Sequence, residues 1–556
     1  MVTKRSQLQM MFVRAQGLQE EGRYSEAERA WLELDESTPN NAGVLTNLAM
    51  VQWQLGSLDK AAMTSKRAIE VGPDMEQAYV IYGAAAEACG AVGDAITRYE
   101  RALELKPGLP SVVHSLANLY RSQGNLDKAL NYATQMIAIN PKWAKGYDVL
   151  GGIQLARGKL GDASDALIHA IQLDPTLASA HGNLGMLKAE RREWLEALEH
   201  LETALSLDPS LAEAHNNRGN VLVSLGRLVE ADAAFDCSLK LAPELTDARF
   251  NQSLLWLKQG KWVQAWPGFE LRWQTPQLAP FKRSFEQPLW NGKKCTKHTL
   301  LIHAEQGAGD FIMVLRYLPA LREHVGRLII ECPKELNSLI KFMPGGYTCV
   351  SFGDELPNFD QHLPAMSLPG VFNTKPETIP WNGPYISAPR YRIKALPKDK
   401  MINIGLVWTG SVHNPTNSER TVPLLALEPL LKFQHCRIFS LQYGSAGDEI
   451  NRIGFKNKII DTREEMKDFA ATAALISQMD IVISVCTSVA HLAGAMGKPT
   501  WVMLPRSADW RWLINRDDTP WYPSMELFRQ STASNWVTVI DRICAKVKRL
   551  NGGISV

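Results

Sequence analysis

The sequence predicts two unlike parts in one chain: an α-solenoid of paired helices, then an α/β part built on parallel sheets. Three observations carry that prediction. Prolines, alanines and glycines recur in one register through the first half, always 34 residues apart. That rhythm fades after Trp266. From residue 299 onward, apolar strand-like runs alternate with helical patterns, the arrangement that gives parallel sheets covered by helices.

The prolines are Pro39, Pro73, Pro107, Pro141, Pro175, Pro209 and Pro243. The alanines are Ala27, Ala61, Ala95, Ala129, Ala163, Ala197, Ala231 and Ala265. The glycines are Gly22, Gly56, Gly90, Gly124, Gly158, Gly226 and Gly260, with Arg192 interrupting the series. Each column has a physical reason. Glycine ends the first helix of a pair, where the chain turns through positive φ. Alanine lies early in the second helix, where a small side chain lets helices approach. Proline follows the second helix, whose interior it cannot continue. The resulting helix-turn-helix unit resembles the tetratricopeptide repeat, in eight units over about residues 8–279, the last degenerate. This part is placed at residues 1–279.

Stacked units form a concave groove, normally lined by the first helix of each pair. Asn47, Asn183, Asn217 and Asn251 share one register of that helix, and Asn118 and Asn220 share a second. An amide both donates and accepts, so such a ladder can hold an extended peptide backbone without reading its sequence. The array resembles that of the O-linked N-acetylglucosamine transferases, which implies a protein substrate in the groove. The same residues can equally be ordinary polar contacts between repeats.

Residues 270–298 carry Pro276, Pro280 and Pro288 among aromatics and charges and read as a packed connector, placed at 280–298. Candidate strands follow at 299–303, 327–331, 402–408, 437–441, 480–485 and 500–504, with helices at 310–323, 423–433, 464–478 and 489–496. The Pro-containing stretch 374–398 divides this region into halves, placed at 299–395 and 396–556. Two Rossmann-like halves facing a cleft would bind ligands at the carboxyl ends of their strands.

Composition narrows the function. Lys plus Arg is 60 and Asp plus Glu 58, a net charge of +2. That balance argues against a nucleic-acid or membrane-surface binder. The eight cysteines are scattered without a CxxC pair, as in a reducing compartment. The first 19 residues lack a secretory h-region, and no run is apolar for 18 residues, so the expectation is a cytoplasmic protein without a membrane span. There is no P-loop, HExxH, GxSxG or Asp-x-Asp motif, and no metal is expected.

Four segments can carry chemistry. In Ala304–Asp310, two glycines let the backbone approach a ligand, and Asp310 is a candidate general base with Glu305 as a second carboxylate. Asp310 can also simply cap the helix it opens. In Cys486–His491 a helix begins after an apolar strand, so Thr487, Ser488 and Val489 offer N–H and hydroxyl donors to a phosphate, with His491 one turn inward. Ser and Thr also cap helices that bind nothing, and His491 can be a buried structural histidine. Trp408 to Gly410 opens a polar loop with Ser411, His413, Asn414 and Asn417, and its Arg420 can neutralise a donor phosphate. Gln442, following the strand 437–441, joins this donor-side set. Asp509 to Trp512, with Arg516 and Trp521 to Pro523, is either a pocket wall or a packing cluster.

Together, His303–Asp310, Gly405–Gly410, Ala490–Ala495 and Asp509–Trp512 resemble a bacterial family that joins tetratricopeptide repeats to a domain like the ADP-heptose glycosyltransferases. Some members resemble flagellin glycosyltransferases that add nonulosonic sugars. The resemblance implies a GT-B fold and an inverting, metal-independent transferase with a nucleotide-activated sugar as co-substrate and no cofactor. It puts the base on Asp310, and donor contacts on Thr487 and His491. Cys486 departs from that pattern, which has Asp there, so heptose is doubtful as donor. The implied function is a protein O-glycosyltransferase, with flagellin the leading acceptor. A lipid or polysaccharide acceptor, or a non-catalytic scaffold with a vestigial transferase domain, are the alternatives. A homo-oligomer stays open.

Overall fold

The computed structural model describes residues 4–275, 278–391, 396, 399–412, 414, 416–532 and 535–550. Pro276 and His413 lie outside these residues. The chain divides into two compact units, residues 1–221 and 222–556.

The first unit consists of helix pairs such as Ala42–Gln54 with Leu58–Val71 and Pro110–Ser122 with Leu126–Ile139. Gly22, Gly56, Gly90, Gly124 and Gly158 all turn at φ between +71° and +75°. At Gly56, the Gly N–H donates to the Trp53 carbonyl at 3.0 Å and Ser57 N–H to Gln52 at 2.9 Å, which satisfies carbonyls the helix end leaves open. Arg192 makes the same turn at φ +62°. The backbone conformation of the column is therefore imposed by the packed pairs even where a Cβ makes it unfavourable.

The alanine column is fully buried: Ala27, Ala61, Ala95, Ala129, Ala163 and Ala197 are 0% exposed. A partner column of small residues faces it from the first helix. A Cβ added at Gly83, Gly151 or Gly185 would lie 2.5–2.7 Å from Tyr99, Leu167 or Leu201. Close packing leaves no room for that atom.

The second unit begins with the same 34-residue pattern. Leu228–Leu241, Thr246–Lys258 and the short Trp262–Phe269 are its helices, and Ala231 and Ala265 keep the buried column. Pro267 falls inside the last helix, and the chain tightens into a 3₁₀ helix, Glu270–Gln274.

Two parallel sheets follow. The first holds β1 (Cys295–His303), β2 (Val325–Cys332), β3 (Thr348–Ser351) and β4 (Gln361–Pro364), in the order β3-β2-β1-β4. The second holds β5 (Ile402–Val407), β6 (Cys436–Ser440), β7 (Ile459–Asp461), β8 (Ile481–Val485), β9 (Thr500–Leu504) and β10 (Met525–Arg529), in the order β7-β6-β5-β8-β9-β10. That is doubly-wound order, with the winding reversing between β5 and β8, and in the first sheet between β1 and β4. Every residue of β8 and β9 is buried, as befits strands covered on both faces. The chain is thus an α-solenoid of tetratricopeptide type followed by an α/β part with parallel sheets.

All six strands read from the sequence are present. β3, β4, β7 and β10 are additions, short and broken by polar residues or Pro364. The helix expected over 310–323 is split by a 3₁₀ turn at Leu315–Tyr317, because Pro319 restarts it at Leu318–His324. The one expected over 423–433 is a 3₁₀ helix, Leu424–Lys432, around Pro429. The one expected from 464 starts at Phe469, where the Asp468 carboxylate accepts Ala471 N–H at 2.7 Å.

Candidate functional site

β1 and β8 each lead straight into a helix, Ala308–Val314 and Ser488–Ala495, beside the point where their sheet reverses winding. The two helix starts meet at Gly309. A Cβ there would sit 2.8 Å from His491 Cδ2, 3.2 Å from Ser488 Cα and 3.5 Å from Ser488 N. Only glycine allows this approach, so the carboxyl ends of both sheets face one place.

Asp310 follows directly. One of its oxygens accepts the Gly307 N–H at 3.1 Å, which closes the helix start; the other pairs with Arg511 Nη2 at 2.7 Å. Capping and charge pairing therefore coexist in one carboxylate. Arg511 Nη1 pairs with Asp509 Oδ1 at 2.7 Å, and the same oxygen accepts the Arg511 N–H at 3.0 Å. The guanidinium lies over the Trp510 ring at 4.6 Å. Burial lifts the Asp310 carboxyl above the ordinary aspartate value, against the pull of Arg511. Asp509 is also pushed up by burial, but Arg511 outweighs that and holds it below the ordinary value.

On the second sheet, Arg420 joins the loops after β5 and β8. Its Nη1 donates to the Cys486 carbonyl at 2.9 Å and its Nε to Asn417 Oδ1 at 3.2 Å. Gly410 makes room for it, since a Cβ there would lie 2.5 Å from Arg420 Nη2. Cys486 Sγ accepts the Trp512 indole N–H at 3.0 Å. Burial pushes that thiol up to about 11, so it is neutral at physiological pH. Where the resemblance expects a carboxylate, this chain has an uncharged acceptor already satisfied by an indole. Thr487 and Ser488 stay partly exposed at the helix start, with Thr487 Oγ1 3.1 Å from Ser484 Oγ.

Several expected site residues have other work. Glu305 is corrected from a cleft carboxylate to a buried structural one: both its oxygens take Arg272, at 2.9 and 3.1 Å, and Met366 N–H donates to it at 2.7 Å. Trp408 is fully buried in the core, its indole donating to Glu449 at 2.9 Å, so only its backbone reaches the loop. Gln442 is buried too, and its Oε1 accepts the N–H groups of Trp408 and Thr409 at 3.2 and 3.1 Å, so it shapes the turn rather than facing a ligand. Val489 is buried at its side chain. His491 is buried, its Nδ1 2.9 Å from Tyr522 Oη, and burial pushes it down to about 3. It is a neutral packing histidine against Trp512 and carries no charge for a phosphate. Trp262, Trp266, Phe269, Trp510 and Trp521 interlock as a packing cluster, with Trp262 stacked on Trp521 at 5.2 Å.

The asparagines are not a uniform ladder. Asn183 Nδ2 donates to buried Asp148 at 2.7 Å, a bond between first helices of adjacent repeats. Asn47 donates to its own helix at Gly43, and Asn118 meets His114 at 3.2 Å. Asn217 is half-buried and Asn220 exposed on the helix Ala212–Leu225. Asn251 is half-buried in the second unit.

Sequence reasoning placed Asp509 and Arg511 only in a segment that is either a pocket wall or a packing cluster, and it did not include Lys258. Lys258 Nζ reaches Ser507 Oγ at 3.4 Å, and burial lowers its pKa against the pull of Asp509. The available signal was Arg511 between two tryptophans, a pattern that suits a desolvated guanidinium. Among the described residues no group of three or more His, Cys, Asp or Glu is placed to hold a metal, and no helix is long and apolar enough to cross a membrane.

Comparisons agree with the repeat part. Family models described as tetratricopeptide or TPR repeat match residues 12–65, 111–142 and 189–226. Protein FlbA of Caulobacter vibrioides is 24% identical over 332 residues, 51% of this chain and 52% of FlbA. The chain thus spans about half the length of that curated relative. Among solved structures, YrrB, a TPR protein with an unusual peptide-binding site, is 21% identical over 33% of this chain and 95% of its own, with a TM-score of 0.30. A tetratricopeptide repeat protein from Parabacteroides merdae is 16% identical over 45% of this chain and 98% of its own, with a TM-score of 0.39. The repeats are of a protein-interaction class.

Proposed function

We propose that this chain is a protein O-glycosyltransferase of the GT-B type that takes a sugar from a nucleotide-activated donor. The acceptor is a Ser or Thr hydroxyl of a protein held by the repeats, with flagellin the leading candidate and a nonulosonic acid a candidate sugar. The observation that carries the reading is the close approach of Gly309, the chain neighbour of Asp310, to the start of the helix Ser488–Ala495. This supports a reading in which Asp310 serves as base beside a helix start that takes the donor phosphate, near the switch points of two doubly-wound sheets.

In this reading Asp310 takes the proton of the acceptor hydroxyl. The hydroxyl oxygen forms the new bond to the anomeric carbon, and the bond from that carbon to the donor phosphate oxygen breaks, its electron pair leaving with the phosphate. The N–H groups of the helix start and the Thr487 and Ser488 hydroxyls stabilise the charge that develops there. Arg420 holds the two donor-side loops in place. Asn47, Asn118, Asn217, Asn220 and Asn251 are the acceptor-peptide candidates; Asn183, tied to Asp148, serves register between repeats.

Cys486, capped by Trp512, favours one second reading, a scaffold that has lost donor chemistry. The experiment is the intact mass of flagellin from matched strains with and without this gene. A fall by whole sugar units supports the transferase; no change, on flagellin known to be modified, removes that acceptor. Nucleotide binding by the purified full chain separates the transferase from the scaffold.

A further inference from the structure

We infer that Arg511 is a positioning residue with two alternative partners, the Asp310 carboxylate before a donor binds and the phosphate of a nucleotide sugar afterwards. This rests on the transferase reading above. Arg511 is 6% exposed. It is anchored on one side by Asp509 and pairs on the other with Asp310 at 2.7 Å, while its buried Nε has no hydrogen-bond partner among the described residues. A guanidinium has five N–H donors, so this one has capacity to spare.

A phosphate on the N–H groups at Thr487–Val489 would be a near neighbour of Asp310, since Gly309 lies against Ser488. Two anions would then share one desolvated guanidinium, and each weakens the hold of the other. Asp509 keeps the guanidinium in place throughout. Before donor arrives, the Asp310 charge is paired with Arg511, which makes the carboxylate a weaker proton acceptor than it is once Arg511 is drawn off. Phosphate draws Arg511 off, and the base is released only when there is a sugar to transfer. Donor therefore binds before the acceptor is deprotonated.

Coupling of this kind is reciprocal, which supplies the test. Isothermal titration of the full chain with UDP, GDP, ADP, dTDP and CMP identifies the nucleotide bound by wild type. Asp310→Asn keeps the shape and an oxygen for the Gly307 N–H but removes the competing charge. It should bind that nucleotide more tightly, by roughly five-fold or more, the lower end of ordinary site coupling. Local damage at the site would weaken binding, so a gain cannot come from it. In the Arg511→Gln background the gain should vanish; if that variant does not fold, Arg511→Met takes its place. Equal or weaker binding by Asp310→Asn overturns the role of Arg511 and leaves the donor site standing. A gain that persists without Arg511 also overturns it, because the repulsion is then direct. No nucleotide bound by either protein removes the donor site and both readings with it.

Discussion

The repeats and the α/β part solve opposite problems. In the repeats, each recurring residue answers to something close in the chain: Gly56 turns onto Trp53, and Gly83 makes room for Tyr99. In the α/β part, charged residues also answer to something remote: Asp310 to Arg511, Arg420 to Cys486, and the buried Glu305 to Arg272. The repeats bury alanine and bring no charge into their core columns. The second unit buries guanidinium groups and must pair them, because an unpaired buried charge costs several kcal/mol. Stability built locally is spread over many small terms. A charge cluster built from distant segments concentrates it in a few.

Substitutions can break or sharpen that contrast. The largest loss is expected at Glu305→Ala, which strips Arg272 of its bidentate partner where the guanidinium is 0% exposed. Chemical denaturation should show a loss approaching about 3–5 kcal/mol in the second unit, less what the remaining pair of Arg272 with Glu270 at 2.9 Å retains. Gly309→Ala comes next, since its methyl group meets His491 and Ser488. It should cost about 1–3 kcal/mol by overpacking, and transfer should fall further than stability because the two helix starts are forced apart. The smallest shift in stability is in the repeats, where Arg192→Gly relieves a Cβ at φ +62°. Melting should show a gain of up to about 1 kcal/mol, less whatever the arginine side chain contributes.

Acid should also separate the two regions. A general base works only when ionised, so turnover is lost as pH falls through its pKa. Burial raises that of Asp310, so the acid limb should lie above the ordinary aspartate range, and pH-rate profiles would show it. Arg511→Gln removes the opposing pull and should move the limb higher still. The alanine and proline columns carry no titrating group, so acid acts on the repeats through groups outside them: burial pushes His114 and His200 down, and repeat stability should fall as pH drops below the ordinary histidine range.

This contrast also explains what could be read in advance. The solenoid was legible because its columns repeat, so one register explains many residues. Six strands were legible from their apolar runs, whereas Gln361–Pro364 and Ile459–Asp461 are short and borrow their strand character from neighbours already in the sheet. Asp310 and the Thr487 helix start were legible as a loop after a strand. The fate of Glu305, Trp408 and Gln442 was not, because each is decided by a partner 33 to 41 residues away or by core burial. Arg511 was visible as a residue and invisible as a partner of Asp310, 201 positions earlier, for the same reason.

In the proposed function Asp310 is the base of a sugar transfer. The most direct measurement is intact mass of purified, unmodified flagellin after incubation with the full chain and a nucleotide-sugar pool from the native cell. Wild type should add whole sugar units and Asp310→Asn should add none while still binding nucleotide. Equal additions by both proteins would contradict the assignment of the base, and no addition by either would contradict flagellin as the acceptor.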